Sequence, residues 1–86
     1  MAIIVVRVES NDLDTWYSDH MKAIPQFKEA GVTSEVMYRD RKHPDARVGL
    51  LEVEDVNRFF TFLSKAAGPR KYRPTVWVLD EIERTI

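Results

Sequence analysis

Two stretches of this chain read as strands that are apolar on both faces. Ile3-Ile4-Val5-Val6 stands near the start, and Val76-Trp77-Val78-Leu79 lies near the end. A strand that is apolar on both sides needs both sides covered. Any fold for this sequence must therefore put material above and below its sheet. That requirement is severe for 86 residues, because a domain of this size buries only roughly 60–65% of its unfolded surface and gains much from association.

The segments between the two strands show what the chain itself can supply. Ile3 to Glu9 is β-branched and ends at Ser10-Asn11-Asp12, so it reads as a strand followed by a helix start. Asn11 or Asp12 can cap that helix, and Asp14 adds favourable charge to its first turn. Leu13, Trp16, Tyr17, His20, Met21, Ile24 and Phe27 then recur at helical spacing as one apolar stripe. Pro25 is expected to kink the helix or divide it near Ala23, and Gly31 to stop it in a left-handed conformation.

Val32 to Asp40 reads as a second strand, with Val32, Val36 and Tyr38 on one face and Met37 on the other. The turn-prone Arg41-Lys42-His43-Pro44-Asp45 joins it to a third strand, Arg47 to Glu54. Asp55 is placed to cap a second helix carrying Val56, Phe59, Phe60, Leu63 and Ala67 on one side, closed by Gly68-Pro69. Arg70-Lys71-Tyr72-Arg73-Pro74 leads into the last strand, Thr75 to about Glu83.

The order β-α-β-β-α-β with right-handed crossovers gives an α+β, ferredoxin-like fold over residues 1–86 as a single domain. It is a four-stranded antiparallel sheet with two helices on one face. The first and third strands take the centre. Ile4, Val6 and Val8 are expected beneath the helices, with Ile3, Val5 and Arg7 on the open side. Both helices cover the same face, so the apolar residues of the other face point to a second copy of the chain.

Composition narrows the function classes. Thirteen basic residues against fourteen acidic ones give a net charge of -1, which argues against a nucleic-acid binder. The absence of cysteine excludes disulfides and thiol nucleophiles. The apolar run from Ala2 to Val6 is too short for a signal peptide or a membrane span, so a cytoplasmic location is expected. With three glycines there is no Gly-rich phosphate loop, and no Ser-His-Asp set or nucleotide motif is present.

Several residues together resemble the dimeric α/β barrel superfamily, whose best-known branch is the antibiotic biosynthesis monooxygenases. They are Trp16 in the first helix, Gly31, Tyr38-Arg39-Asp40, Pro44-Asp45, and Leu51-Glu52-Val53-Glu54-Asp55 leading into Phe59. The resemblance spans nearly the whole chain. It implies a homodimer in which two sheets pack face to face with the helices outside. It also implies a ligand cavity between helices and sheet within each protomer, and activities that include cofactor-independent oxygenation, polyketide cyclisation and haem degradation. The haem-degrading pattern combines an Asn on the first strand with a Trp and a later His; this chain has neither that Asn nor a His in its second half.

Two readings of function follow. In the first, the protein is a dimeric module that binds a small hydrophobic or aromatic molecule between helices and sheet, without cofactor. In the second, it is a cofactor-independent monooxygenase or a polyketide-cyclase-like enzyme. His20 would be its general base, one helical turn after Trp16 on or beside the buried stripe. Trp16, Phe59 and Tyr72 would then shape the pocket and Arg70 or Arg73 would hold an anionic group. Topology gathers Asn11, Asp12, His43, Arg70, Lys71, Tyr72 and Arg73 at one end of the sheet, where they could hold a carboxylate or phenolate; a solvated basic loop with Tyr72 packed on the barrel rim is the simpler and favoured explanation. Asp40, His43 and Asp45 are close in sequence, but the turn around Pro44 explains them without a metal, and Arg70-Lys71-Tyr72-Arg73 is too small a cluster to specify RNA. Trp77 and Tyr38, on opposite edge strands, either line a cavity or fill the barrel interior.

Overall fold

A computed structural model describes residues 2–65 and 74–86 of the chain. Its elements run β1 (Ala2–Glu9), α1 (Leu13–Glu29), β2 (Val32–Arg39), β3 (Ala46–Val53), α2 (Val56–Lys65) and β4 (Thr75–Asp80). The four strands form one antiparallel sheet in the order β2-β3-β1-β4, with the two most continuously apolar strands at its centre. This is the ferredoxin-like arrangement that the sequence order implied.

Strand pairing fixes what each face carries, since neighbours on one face recur every two residues. On the helix side Ile4 pairs with Leu51 and Val78, Val6 with Gly49 and Val76, and Val8 with Arg47. Ile4, Leu51, Val53 and Phe59 make the buried core, and Val6, Phe27, Val32, Val56, Phe62, Leu63 and Val76 pack around it. On the open side lie Ile3, Val5 and Arg7, paired with Leu79, Trp77 and Thr75 on one edge and Glu52, Leu50 and Val48 on the other. The expected assignment of Ile4 and Val8 to the buried side holds.

Local chemistry explains the element ends. Asp12 caps α1: its carboxylate accepts hydrogen bonds from the Thr15 backbone N–H (3.1 Å) and the Thr15 hydroxyl (2.7 Å). The Thr15 hydroxyl bond first, and the Thr15 N–H second, hold the Asp12 carboxyl below its ordinary pKa. Asp55 accepts likewise from the Arg58 N–H at 3.1 Å. Gly31 adopts φ +92° after α1 and its carbonyl accepts from the Glu54 N–H, tying the end of the helix to the end of β3.

Four sequence expectations are corrected. Helix α1 is not divided near Ala23; it runs through Pro25, which is exposed on the solvent side. A proline at this position removes one backbone donor from the helix, and the helix continues through it. Val32 does not share a face with Val36 and Tyr38. The pairing of β2 with β3 slips between Val32 and Ser34, an irregularity of the β-bulge type, so Val32 faces the core while Val36 and Tyr38 face the open side. In α2 it is Phe62 rather than Phe60 that joins the core, held edge-on by the Phe27 ring at 5.6 Å. Finally, β4 runs only from Thr75 to Asp80, and Asp80 pairs with Ala2, the first residue of β1. Ala67 and Gly68-Pro69 lie outside the described residues.

Candidate functional site

A cavity of about 250 Å³ lies between the helices and the sheet. The sheet supplies its floor through Val6, Val8, Glu35, Met37, Arg47, Gly49, Leu51 and Val76. The roof comes from Trp16, His20 and Phe27 of α1 with Phe59 and Leu63 of α2. The space exists partly because Gly49, in a central strand, has no side chain. A Cβ there would touch Leu51 Cδ1 at 3.4 Å and Met37 Cε at 3.5 Å, so anything longer would enter the cavity.

The wall is apolar apart from two features, one of which is a histidine–carboxylate pair. His20 Nε2 stands 2.5 Å from Glu35 Oε1, with the two side chains only 14% and 16% exposed. Each element contributes by its own geometry. His20 follows Trp16 by one helical turn, and the two rings stack at 5.1 Å with an interplanar angle of 14°. Phe27 packs against the other end of the imidazole at 5.5 Å. Glu35 reaches the roof because the bulge before Ser34 turns it to the helix side. Two neighbouring rings and one carboxylate thus fix the imidazole plane. With Nε2 donating to Glu35, Nδ1 is the nitrogen left to accept a proton.

The second polar feature is Arg47. Its Nη1 donates to the Pro44 carbonyl (2.7 Å) and the Ala46 carbonyl (3.0 Å), so its guanidinium is anchored at the hairpin end of the cavity. Nearby, the Ser10 N–H donates to the Asp45 carbonyl at 3.2 Å, drawing the β1–α1 loop to the β2–β3 hairpin. Asp40 serves this turn as well. Its carboxylate accepts from the Lys42 and His43 N–H groups, and Arg7 lies 3.9 Å away on the open side. The Lys42 bond leads the effects that keep the Asp40 carboxyl below its ordinary pKa, against a smaller opposing effect of burial. Among the described residues no group of His, Cys, Asp or Glu is arranged to hold a metal ion.

Of the residues singled out from sequence, the structure brings Trp16, His20 and Phe59 to one cavity. Arg70, Lys71, Tyr72 and Arg73 lie outside the described residues. Trp77 and Tyr38 do not line this cavity; both stand on the open face, about half exposed. Sequence reasoning missed Glu35, Met37, Gly49 and Arg47. One signal was available for Glu35, since it precedes Met37 by two residues and so shares the face opposite Val36 and Tyr38. No helix among the described residues is long and apolar enough to cross a membrane.

No family model matches the chain, and no curated protein matches it. Among solved structures it is similar to a crystal structure of an antibiotic biosynthesis monooxygenase. The TM-score is 0.62 at 13% identity, covering 96% of this chain and 100% of the other. It is also similar to a Deinococcus radiodurans structure named for the same activity, with a TM-score of 0.58 at 14% identity, covering 100% of this chain and 99% of the other. At such identities the likeness is one of fold: the chain has the same βαββαβ, ferredoxin-like fold as these antibiotic biosynthesis monooxygenase structures.

Proposed function

We propose that the protein forms a homodimer through its open sheet face and binds a small hydrophobic or aromatic molecule in the cavity under its helices. One observation carries the binding reading: an apolar cleft of about 250 Å³ stays between helices and sheet among the described residues, although Trp16, Phe27 and Phe59 border it. Close packing is the rule for protein interiors. A dry apolar cavity of about 150 Å³ already accepts a benzene ring, so roughly one to two fused rings fit here. The apolar open face supports the dimer, because an exposed patch of this kind marks an interaction surface.

Calorimetric titration with 2-naphthol tests the binding. Wild type should bind it, and Gly49→Val, which puts a branched side chain into the cavity, should weaken binding by about tenfold or more while keeping the fold. Unchanged affinity in Gly49→Val would place the ligand elsewhere and end this reading.

The His20–Glu35 pair favours a second reading, in which His20 acts as a general base on an acidic C–H or O–H of the bound molecule. Glu35 would orient the imidazole and stabilise the imidazolium formed, leaving the ligand as an enolate or phenolate. The same preparation can be used with 2-tetralone in deuterated water, following loss of its α-protons by NMR. Acceleration by wild type that disappears in His20→Phe supports the base; equal exchange with and without protein leaves binding alone.

A further inference from the structure

Arg39 and Arg47 are direct cross-strand partners on β2 and β3, on the helix side of the sheet; Arg47 lines the cavity, while Arg39 is exposed at its hairpin end. Like charges placed opposite each other destabilise a strand pair. Among the described residues neither arginine makes an ion pair. The adjacent acid, Asp40, faces the other way, towards Arg7 and its own turn. Arg47 is half-buried in the cavity wall, where a cation without a counter-charge is costly. Beyond the two bonds of Nη1 to the chain's own carbonyls, its guanidinium makes no other hydrogen bond among the described residues. The fork that suits a planar carboxylate is therefore unspent.

The positions along β3 give this charge pair a direction. Glu35 pairs with Leu51, Met37 with Gly49, and Arg39 with Arg47. The histidine–carboxylate pair and the arginine pair are thus four residues apart along one strand, about 13 Å between backbone positions. Gly49 lies midway and leaves the floor between them open. The cavity has the His20–Glu35 pair at one end, an apolar middle, and Arg47 at the other end.

Building on the binding reading above, we infer that the ligand is an aromatic carboxylate, its carboxylate held by Arg47 with Arg39 and its ring lying over Gly49 towards His20 and Glu35. A bound carboxylate would offset the Arg39–Arg47 repulsion. No neutral ligand does so, which makes charge the discriminating property.

Matched probes test this. Titration with 6-hydroxy-2-naphthoate and with its primary amide, 6-hydroxy-2-naphthamide, compares an anion with a neutral molecule of nearly the same shape. Wild type should prefer the acid by about tenfold or more at low salt, with the margin shrinking as salt rises. Arg47→Gln should bring the ratio close to one by lowering affinity for the acid far more than for the amide, and Arg39→Gln should reduce it partly. Should Arg47→Gln fail to fold, the wild-type ratio and Arg39→Gln still decide. Equal binding of acid and amide to wild type overturns the carboxylate assignment and leaves the cavity reading standing. If neither probe binds and 2-naphthol does not bind either, both inferences fall.

Discussion

The two faces of the sheet share the same strands and nearly the same composition, yet they end in different states. On the helix side Ile4, Leu51 and Phe59 are at most 2% exposed. On the other side Tyr38, Trp77 and Leu79 remain 45–54% exposed. Hydrophobic sequence alone does not distinguish these faces; connectivity does, because both crossover helices must fall on the same side. The covered face is completed by the chain itself and has room to hold a ligand. The bare face is apolar and is the surface through which we propose that a second copy pairs.

The contrast can be broken from either side. The largest effect is expected from Phe59→Ala, which empties the best-buried position of the helix side. The cost is about 3–5 kcal/mol by analogy with other core truncations, much of the margin a small domain has, and urea denaturation should show loss of most or all folded protein. Next comes Trp77→Glu on the open side, which should leave the circular dichroism of the protomer intact. It should weaken self-association by about 2 kcal/mol or more, roughly thirtyfold in Kd. Light scattering after size exclusion reads this directly; a wild type that stays monomeric at micromolar concentration removes the contrast altogether.

The smallest effect should come from Asp12→Ala at the start of the helix that roofs the cavity. The folded-state pKa of Asp12 is depressed, so its contribution is full above the unfolded value near 3.8 and is lost as pH falls through the lower folded value. Thermal melts of variant and wild type should accordingly differ at neutral pH and converge in strong acid. A difference that persists undiminished in acid would show that the carboxylate is not the source.

Much of the fold was legible because local signals agreed with one another. Asp12, Gly31 and Asp55 mark element ends by backbone chemistry that does not depend on distant residues. What was not legible depended on tertiary neighbours. In α2 the pattern Val56, Phe59, Leu63 leaves Phe60 and Phe62 on opposite flanks, and the position of Phe27 across the core decides between them. Pro25 reads as a kink or a division in isolation, but the helix, packed against the sheet through its other side, is not divided by a proline on its exposed side. Half of the candidate site was visible as aromatic residues and a histidine on one helix stripe. Glu35 was hidden by the slip in β2, and Arg47 by the ordinary appearance of an arginine at the start of a strand. The role of Gly49 becomes apparent only when Met37 and Leu51 are seen to flank it.

That slip between Val32 and Ser34 has a consequence for how such a protein can diverge. Under strict alternation from Val32, Ser34, Val36 and Tyr38 would line the interior, while Glu35 and Met37 would look outward. One residue that does not count in the ladder exchanges these two sets. It gives the cavity its acid and gives the outer surface its aromatic and branched side chains in a single stroke. Insertion or deletion at this point would therefore exchange the side chains that line the cavity and those that cover the open face in one step.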